Sequence, residues 1–337
     1  MSFQYLADLA LKEKRLDREQ CRKVLGCPDD KMISLIDAAY QVRHKYFKNR
    51  VYIHMLSNAK SGLCSEDCHY CSQSKISNAK IRTYPLVSKE KLLAEAQEAK
   101  KTKADRFCMA LSGKSPTENE LQRLCDMIRS LKQETGLSLC ASLGFLDPNQ
   151  AAQLKAAGLD RVNHNLNTSE RFYSRICTTH SFQERLVTIA NCRAAGLEIC
   201  SGGIIGQGET DEDIIDLLYA LRDIKPEAVP INFLIPVKGT PFEDRATDLN
   251  PRRCLKALCL ARFLNPQSEV RAAGGREYHL RCLQPLALFV VDSIFVAGYL
   301  TTGGQSAQEA FKMIADLGFE ATIEGADIHR FNLLAKN

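Results

Sequence analysis

Phe182–Cys200 reads FQERLVTIANCRAAGLEIC, and its reading sets the fold. Apolar side chains recur at i, i+3 and i+4 up to Ala195, which predicts an amphipathic helix. Gly196 then suits the left-handed conformation in which helices commonly end. A β-branched run follows at once, predicting a strand over Glu198–Ile204. Working outward, KAAGLD repeats the phrase at Gly158, and Gly136 ends a further helix in the same way. Strands are predicted at Val51–Leu56, Arg106–Leu111, Ser138–Leu143, Arg161–Leu166, Val229–Ile235, Glu269–Ala273 and Ser293–Ala297. Helices are predicted at Lys89–Lys101, Glu118–Thr135, Pro148–Ala157, Asp211–Ile224 and Pro251–Leu264. Alternating strands and helices imply a parallel sheet. Eight strands without a break predict an α/β fold, a closed (β/α)8 TIM-type barrel with an N-terminal helical extension. An open doubly wound sheet satisfies the same periodicity. The expected organisation is a helical cap over 1–48, the barrel over 49–320 and a C-terminal tail over 321–337.

The chain of 337 residues is 45% hydrophobic and 25% charged, ordinary for a soluble globular protein and long enough for one large barrel. A net charge of +5 is spread along the chain, so no nucleic-acid partner is expected. The first twenty residues carry charges throughout and resemble neither a signal peptide nor a membrane span. No later stretch approaches about 18 uninterrupted apolar residues. A cytoplasmic protein is expected. Fourteen cysteines in that compartment suggest metal or redox chemistry in preference to disulfides.

The densest cysteines lie in Asn58–Ser74, NAKSGLCSEDCHYCSQS. Cys64, Cys68 and Cys71 follow a C-x-x-x-C-x-x-C spacing with Tyr70 before the last. Thiolates this close can reach one centre of a soft metal, with iron–sulfur, zinc and copper(I) the options. A closed zinc site usually has four ligands in two pairs, and no second Cys-x-x-Cys follows. The triad with its aromatic residue resembles the radical S-adenosylmethionine (SAM) enzymes. The strings NHNLNTS, ICSGGI, PINFL, VRAAGGRE and YLTTGG narrow the resemblance to the biotin synthase family, from about Arg43 to about Gly318.

The barrel expectation places chemistry at the C-terminal ends of the strands. Polar or sulfur residues do fall there. Cys108, Cys140 and Cys200 each sit inside an apolar strand, in RFCMAL, SLCASL and EICSGG. One such cysteine is usually a small hydrophobe; three at matched positions suggest a second thiolate site. Arg271 would project inward near them and needs a negative partner, either a thiolate cluster or a buried glutamate. Asn163, Asn165 and Asn167 alternate onto one face of a strand end, where buried amides need something to bind. His164 faces the other way and is expected to be a core histidine. SGGIIGQGET, with Gly202, Gly203 and Gly206, reads by its own chemistry as a tight turn.

The resemblance implies specific roles. Cys64, Cys68 and Cys71 would hold a [4Fe–4S] cluster whose open iron binds SAM, and Cys108, Cys140, Cys200 and Arg271 a [2Fe–2S] cluster. Tyr70, Asn165, Asn167, Gly202, Gly203 and Gly206 would contact SAM. Asn165, Asn232, Thr301 and Thr302 would contact dethiobiotin, which gains sulfur through radical chemistry to become biotin. A flavodoxin or ferredoxin reductant and a homodimer are also implied. Asn167 departs from the family, where that position is usually acidic. Two rival readings are a radical SAM enzyme without sulfur insertion, such as a mutase or methyltransferase, and a thiolate-metal scaffold. The remaining cysteines, Cys21, Cys27, Cys125, Cys177, Cys192, Cys254, Cys259 and Cys282, are expected to be structural.

Overall fold

The computed structural model describes residues 2–245 and 249–322. Most of the expected C-terminal tail, 323–337, lies outside the described residues. Three helices come first, α1 (Phe3–Leu11), α2 (Arg18–Leu25) and α3 (Met32–Phe47). The strands are β1 (Arg50–Lys60), β2 (Arg106–Leu111), β3 (Ser138–Ser142), β4 (Arg161–Asn163), β5 (Glu198–Cys200), β6 (Gly203–Ile205), β7 (Ala228–Phe233), β8 (Glu269–Ala272), β9 (Ser293–Val296) and β10 (Glu320–Thr322). All pair in parallel, and β9 returns to pair with β1, so the sheet closes. The result is an eight-stave (β/α)8 barrel; closure excludes the open sheet.

The fifth stave differs from its expected form. The single strand predicted over Glu198–Ile204 is broken into β5 and β6 at Ser201–Gly202. A side chain on Gly202 would lie 1.8 Å from the carbonyl oxygen of Pro230, so only glycine lets the two staves approach here. Cys200 pairs with Ala228 below the break, and Gly203 with Ile231 above it. At the top of β1 the register with β2 shifts between Asn58 and Lys60. Such an irregularity re-aims the chain at a barrel rim, here just before the cysteine loop.

The outer helices include α4 (Lys89–Lys101), α5 (Glu118–Thr135), α6 (Pro148–Ala156), α7 (Phe182–Ala194), α8 (Asp211–Ile224) and α9 (Pro251–Leu264). Their starts follow from capping boxes in the sequence: Thr117 with Glu120, Asp147 with Gln150, Ser181 with Glu184 and Thr210 with Asp213. Gly136, Gly158 and Gly196 all have positive φ, as their stop positions require. The N-terminal helices are not a separate body. Leu6, Leu35 and Val42 belong to the same continuous core as the barrel. Buried Arg43 donates to the carbonyls of Val291 (2.9 Å) and Arg50 (2.7 Å), tying α3 to the starts of two staves.

Asp213 caps α8 from a buried position. One oxygen accepts from Thr210 N (2.9 Å) and Thr210 Oγ1 (2.6 Å), the other from Ser169 Oγ (2.7 Å) and Arg171 Nε (2.6 Å). Burial pushes its pKa up, but the Thr210 and Ser169 bonds and Arg171 outweigh this and hold it at about 2. A depressed acid stabilises the fold above its unfolded pKa, and that contribution is lost as pH falls through the folded value. Asp213→Asn is therefore expected to lose about 2 kcal/mol at neutral pH. The gap in urea midpoint between wild type and variant should narrow as pH drops from 5 toward 3, and a constant gap contradicts the assignment.

Candidate active site

The loop from Cys64 to Cys71 sits at the C-terminal mouth of the barrel and is held by the protein's own hydrogen bonds. Asp67 Oδ1 accepts from Thr178 N (2.9 Å), Thr179 N (3.2 Å) and Thr179 Oγ1 (3.0 Å), and Thr178 Oγ1 donates to Oδ2. His69 N donates to Ile176 O (2.9 Å). Burial alone would raise the Asp67 pKa; the Thr178 hydroxyl and amide bonds bring it well below the carboxylate range. Beside it, Glu66 pairs with His180 Nδ1, and Arg185 Nη2 donates to His180 Nε2 at 2.8 Å. Arg185 Nη1 continues to Asn165 O (3.0 Å), so one polar chain joins the cysteine loop to the end of β4.

Cys64 and Cys71 line a cavity of ≈ 380 Å³. The Cys68 sulfur turns from them toward Cys177 Sγ, 3.9 Å away. Cys177, expected to be merely structural, also contacts Asp67 Oδ1 (3.2 Å) and His180 Nδ1 (3.4 Å). Cys68, Cys177 and His180 thus place their donor atoms within 4.8 Å of one another. Burial raises Cys71 to about 11. Ligation by a metal must therefore supply the energy of deprotonation there.

Below lies a second cavity of ≈ 240 Å³, with Cys108, Cys140, Cys200 and Arg271 in its wall. Cys108 pairs across the sheet with Cys140, and Cys140 packs in one cluster with Cys108 and Cys200. Those contacts drive the titration apart. The Cys140 interaction lowers Cys108, the Cys108 interaction lifts Cys140 to about 12, and Cys140 with burial raises Cys200 well above an ordinary thiol. Arg271 Nη1 is 3.9 Å from Cys200 Sγ. Its guanidinium also pairs with buried Glu269, so both partners weighed for Arg271 are present together. Three buried thiols with no disulfide among them, next to a guanidinium, fit a soft-metal cluster site.

The amides occupy the space between. Asn163, Asn165, Asn232, Thr301 and Thr302 line both cavities. Asn232 is fixed through Nδ2 to Gly203 O (3.1 Å) and through Oδ1 from Gly274 N (2.9 Å). Thr301 Oγ1 meets Ser72 Oγ at 3.0 Å, linking the loop after β9 to the cysteine loop. Asn167 reaches the upper cavity by a different route from strand alternation. It has left-handed backbone (φ 70), which Asn tolerates, and Nδ2 donates to Tyr70 Oη at 2.8 Å. Buried His164 packs its ring edge-on to Phe145, but it also lines the upper cavity instead of facing away from it as expected.

Gly202, Gly203 and Gly206 are not brought to the cavity wall; Ile204 is. A side chain at Gly203 would meet Leu217 at 2.3 Å, and one at Gly206 would meet Leu249 at 2.4 Å. Close packing within the protein thus accounts for these glycines, and Gly203 opens the strand β6 where a tight turn was expected. Arg185, by contrast, lines the upper cavity and was not singled out in the sequence. It lies on a helix with ordinary periodicity, so no local signal marks it.

A closed (β/α)8 barrel with a three-cysteine loop at its mouth and a cysteine-lined cavity beneath fits a radical SAM enzyme. The radical SAM superfamily pattern matches residues 60–220, and the Biotin and Thiamin Synthesis associated domain matches 230–320. The chain is 46% identical to the biotin synthase of Rhodopirellula baltica, over 94% of this chain and 88% of that one. It is 48% identical to that of Acaryochloris marina (93% and 90%) and 44% identical to that of Bacillus subtilis (98% of each). The chain belongs to the biotin synthase family. It is a sulfur-transferring enzyme of biotin formation that uses SAM, a [4Fe–4S] cluster and a [2Fe–2S] cluster. Among solved structures, methylornithine synthase superposes with a TM-score of 0.80 at 19% identity, over 94% of this chain and 97% of that one, which supports the fold. The hydrogenase maturase HydG from Carboxydothermus hydrogenoformans has a TM-score of 0.80 at 17% identity, over 95% and 79%.

Proposed function

We propose that this barrel makes biotin from dethiobiotin with the substrate lying between two cysteine-built centres. The observation that carries the reading is the shared wall. Asn163, Asn165, Asn232, Thr301 and Thr302 face the cavity of Cys64 and Cys71 and also that of Cys108, Cys140 and Cys200. Cys64, Cys68 and Cys71 would hold the [4Fe–4S] cluster, and Cys108, Cys140, Cys200 and Arg271 the [2Fe–2S] cluster. Together with SAM, these groups supply the one-electron chemistry and the sulfur that unactivated C–H carbons require.

The protein's own side chains bind and orient. Asn232, locked at both ends of its amide, offers a fixed polar edge to the ureido ring. Asn165 and Asn167 face ribose hydroxyls, with Tyr70 steadying Asn167. Arg185 offers a guanidinium suited to the carboxylate of SAM. Thr301 and Thr302 meet the acidic tail, and the Thr301–Ser72 contact keeps that loop over the cavity and water out. A flavodoxin or ferredoxin delivers electrons, and the enzyme works as a homodimer. Among the described residues no helix is long and apolar enough to cross a membrane, in keeping with our placement of the enzyme in the cytoplasm.

Anaerobic reconstitution tests the scheme. Iron and sulfide should match one [4Fe–4S] and one [2Fe–2S] cluster per chain, with biotin formed from dethiobiotin. Iron for one cluster alone, or no biotin, would overturn it.

Asn167→Asp is expected to tighten SAM binding several-fold while leaving the reaction unchanged. Asn167 now donates to Tyr70, whereas a carboxylate would accept from Tyr70 and from a ribose hydroxyl. Hydrogen bonds to a charged partner contribute about 1.5–3 kcal/mol against about 0.5–1.5 for neutral ones. The difference, about 1 kcal/mol, is about fivefold in affinity. Titration of SAM into reconstituted wild type and variant decides it, with equal or weaker binding counting against the ribose role.

A further inference from the structure

Glu269 lies two residues before Arg271 on β8, so both side chains face the barrel interior. It is a buried carboxylate committed to three strands. Oε1 lies 2.8 Å from His54 Nε2 on β1 and pairs with Arg271 Nη2, while Oε2 accepts from Arg161 Nη1 on β4 (2.8 Å). Arg271 is otherwise held through Nε to Ser293 Oγ (3.1 Å), meets His54 Nε2 with the same Nη2 (3.1 Å), and lies over the Phe295 ring, 4.9 Å from its centroid. With Nε and Nη2 engaged, the remaining nitrogen, Nη1, is the one turned to Cys200 Sγ.

We infer that Glu269 is a positioning residue of the sulfur-donating site: it fixes the roll of the Arg271 guanidinium so that Nη1 meets the thiol trio. This rests on the ligand assignment of Cys108, Cys140, Cys200 and Arg271 made above. The physical reason is geometric and electrostatic. A guanidinium is planar, so anchoring two of its nitrogens sets the direction of the third. Glu269 also stands between Arg161 and Arg271. Without its charge, Arg161 would keep Glu198 while Arg271 would lose its carboxylate partner, and the less anchored guanidinium would be displaced. A pair serving packing alone would not need to point its free nitrogen at a sulfur.

The test uses the reconstituted holoenzyme, labelled with ¹⁵N-arginine, as wild type, Glu269→Gln and Glu269→Leu. Pulsed EPR of the reduced [2Fe–2S] cluster reads coupling to an arginine nitrogen, and visible absorbance follows loss of that cluster to a chelator. Glu269→Gln should lose the second cluster at least tenfold faster than wild type, with weakened nitrogen coupling. Glu269→Leu should fail to retain it. Both should keep the [4Fe–4S] cluster and cleave SAM at the wild-type rate. A wild-type release rate and unchanged coupling in Glu269→Gln overturn the inference. So does parallel loss of both clusters, which marks a general folding role. A wild type without arginine nitrogen coupling refutes the ligand assignment itself, before Glu269 is altered.

Discussion

Cys68→Ala is expected to abolish reductive cleavage of SAM, as are Cys64→Ala and Cys71→Ala. Two thiolates cannot hold a four-iron cluster that leaves one iron open for substrate. The loop itself should survive the change. Its shape depends on Asp67 and Thr178–Thr179, and on the His69–Ile176 backbone bond, none of which involves the sulfur of Cys64, Cys68 or Cys71. A loss of activity would thus report on ligation and not on loop collapse. Cys68 needs one more variant than the others, because Cys177 Sγ lies 3.9 Å from it. Cys68→Ala/Cys177→Ala removes both sulfurs and is the cleanest form of the test. The measurement is 5′-deoxyadenosine formed from SAM under strong reductant, alongside iron content. Normal formation by Cys64→Ala, Cys71→Ala or the double variant would sink the assignment.

Cys140→Ala should separate the two centres. Cys140 on β3 lies between Cys108 on β2 and Cys200 on β5 in sheet order and packs in one cluster with both. Its removal therefore breaks the site where no neighbouring sulfur can substitute. The cavity left is small, since Cys to Ala deletes one atom. Stability should fall by no more than about 1–2 kcal/mol, the lower part of the range for core truncations. The variant should then keep the [4Fe–4S] cluster and cleave SAM, while its [2Fe–2S] absorbance and biotin formation disappear. Cys192→Ala makes a matched control, since Cys192 is equally buried but belongs to α7. A Cys140→Ala enzyme that forms biotin after anaerobic reconstitution would contradict the role given to the trio.

The sequence by itself determined whatever depends on neighbours along the chain. The predicted bounds of α4, α5, α8 and α9 agree with the structure, because capping residues and apolar spacing act within a turn or two. The stops at Gly136, Gly158 and Gly196 follow from the backbone freedom of one residue. The Cys64–Cys71 spacing marked its site because all three donors share one short loop. Cys108, Cys140 and Cys200 could be grouped before the structure because a parallel barrel repeats its period and residues at like positions on successive strands converge; Arg271 joined them through the family resemblance.

Only the tertiary structure decided contacts that depend on register, closure and side-chain direction. Cys177 lies 109 residues from the Cys68 it touches, a separation that carries no local signal. Glu269 reads as one more polar residue at a strand start until β1, β4 and β8 close around it. The break of the fifth stave depends on a carbonyl of the next strand pressing against Gly202, and no property of the glycine string predicts which atom it meets. Arg185 joins the site because α7 packs with its first turn over the end of β4, bringing a helix side chain to Asn165 O. In each case the deciding quantity is a distance across the barrel, fixed only when β9 meets β1 and the staves acquire a common register.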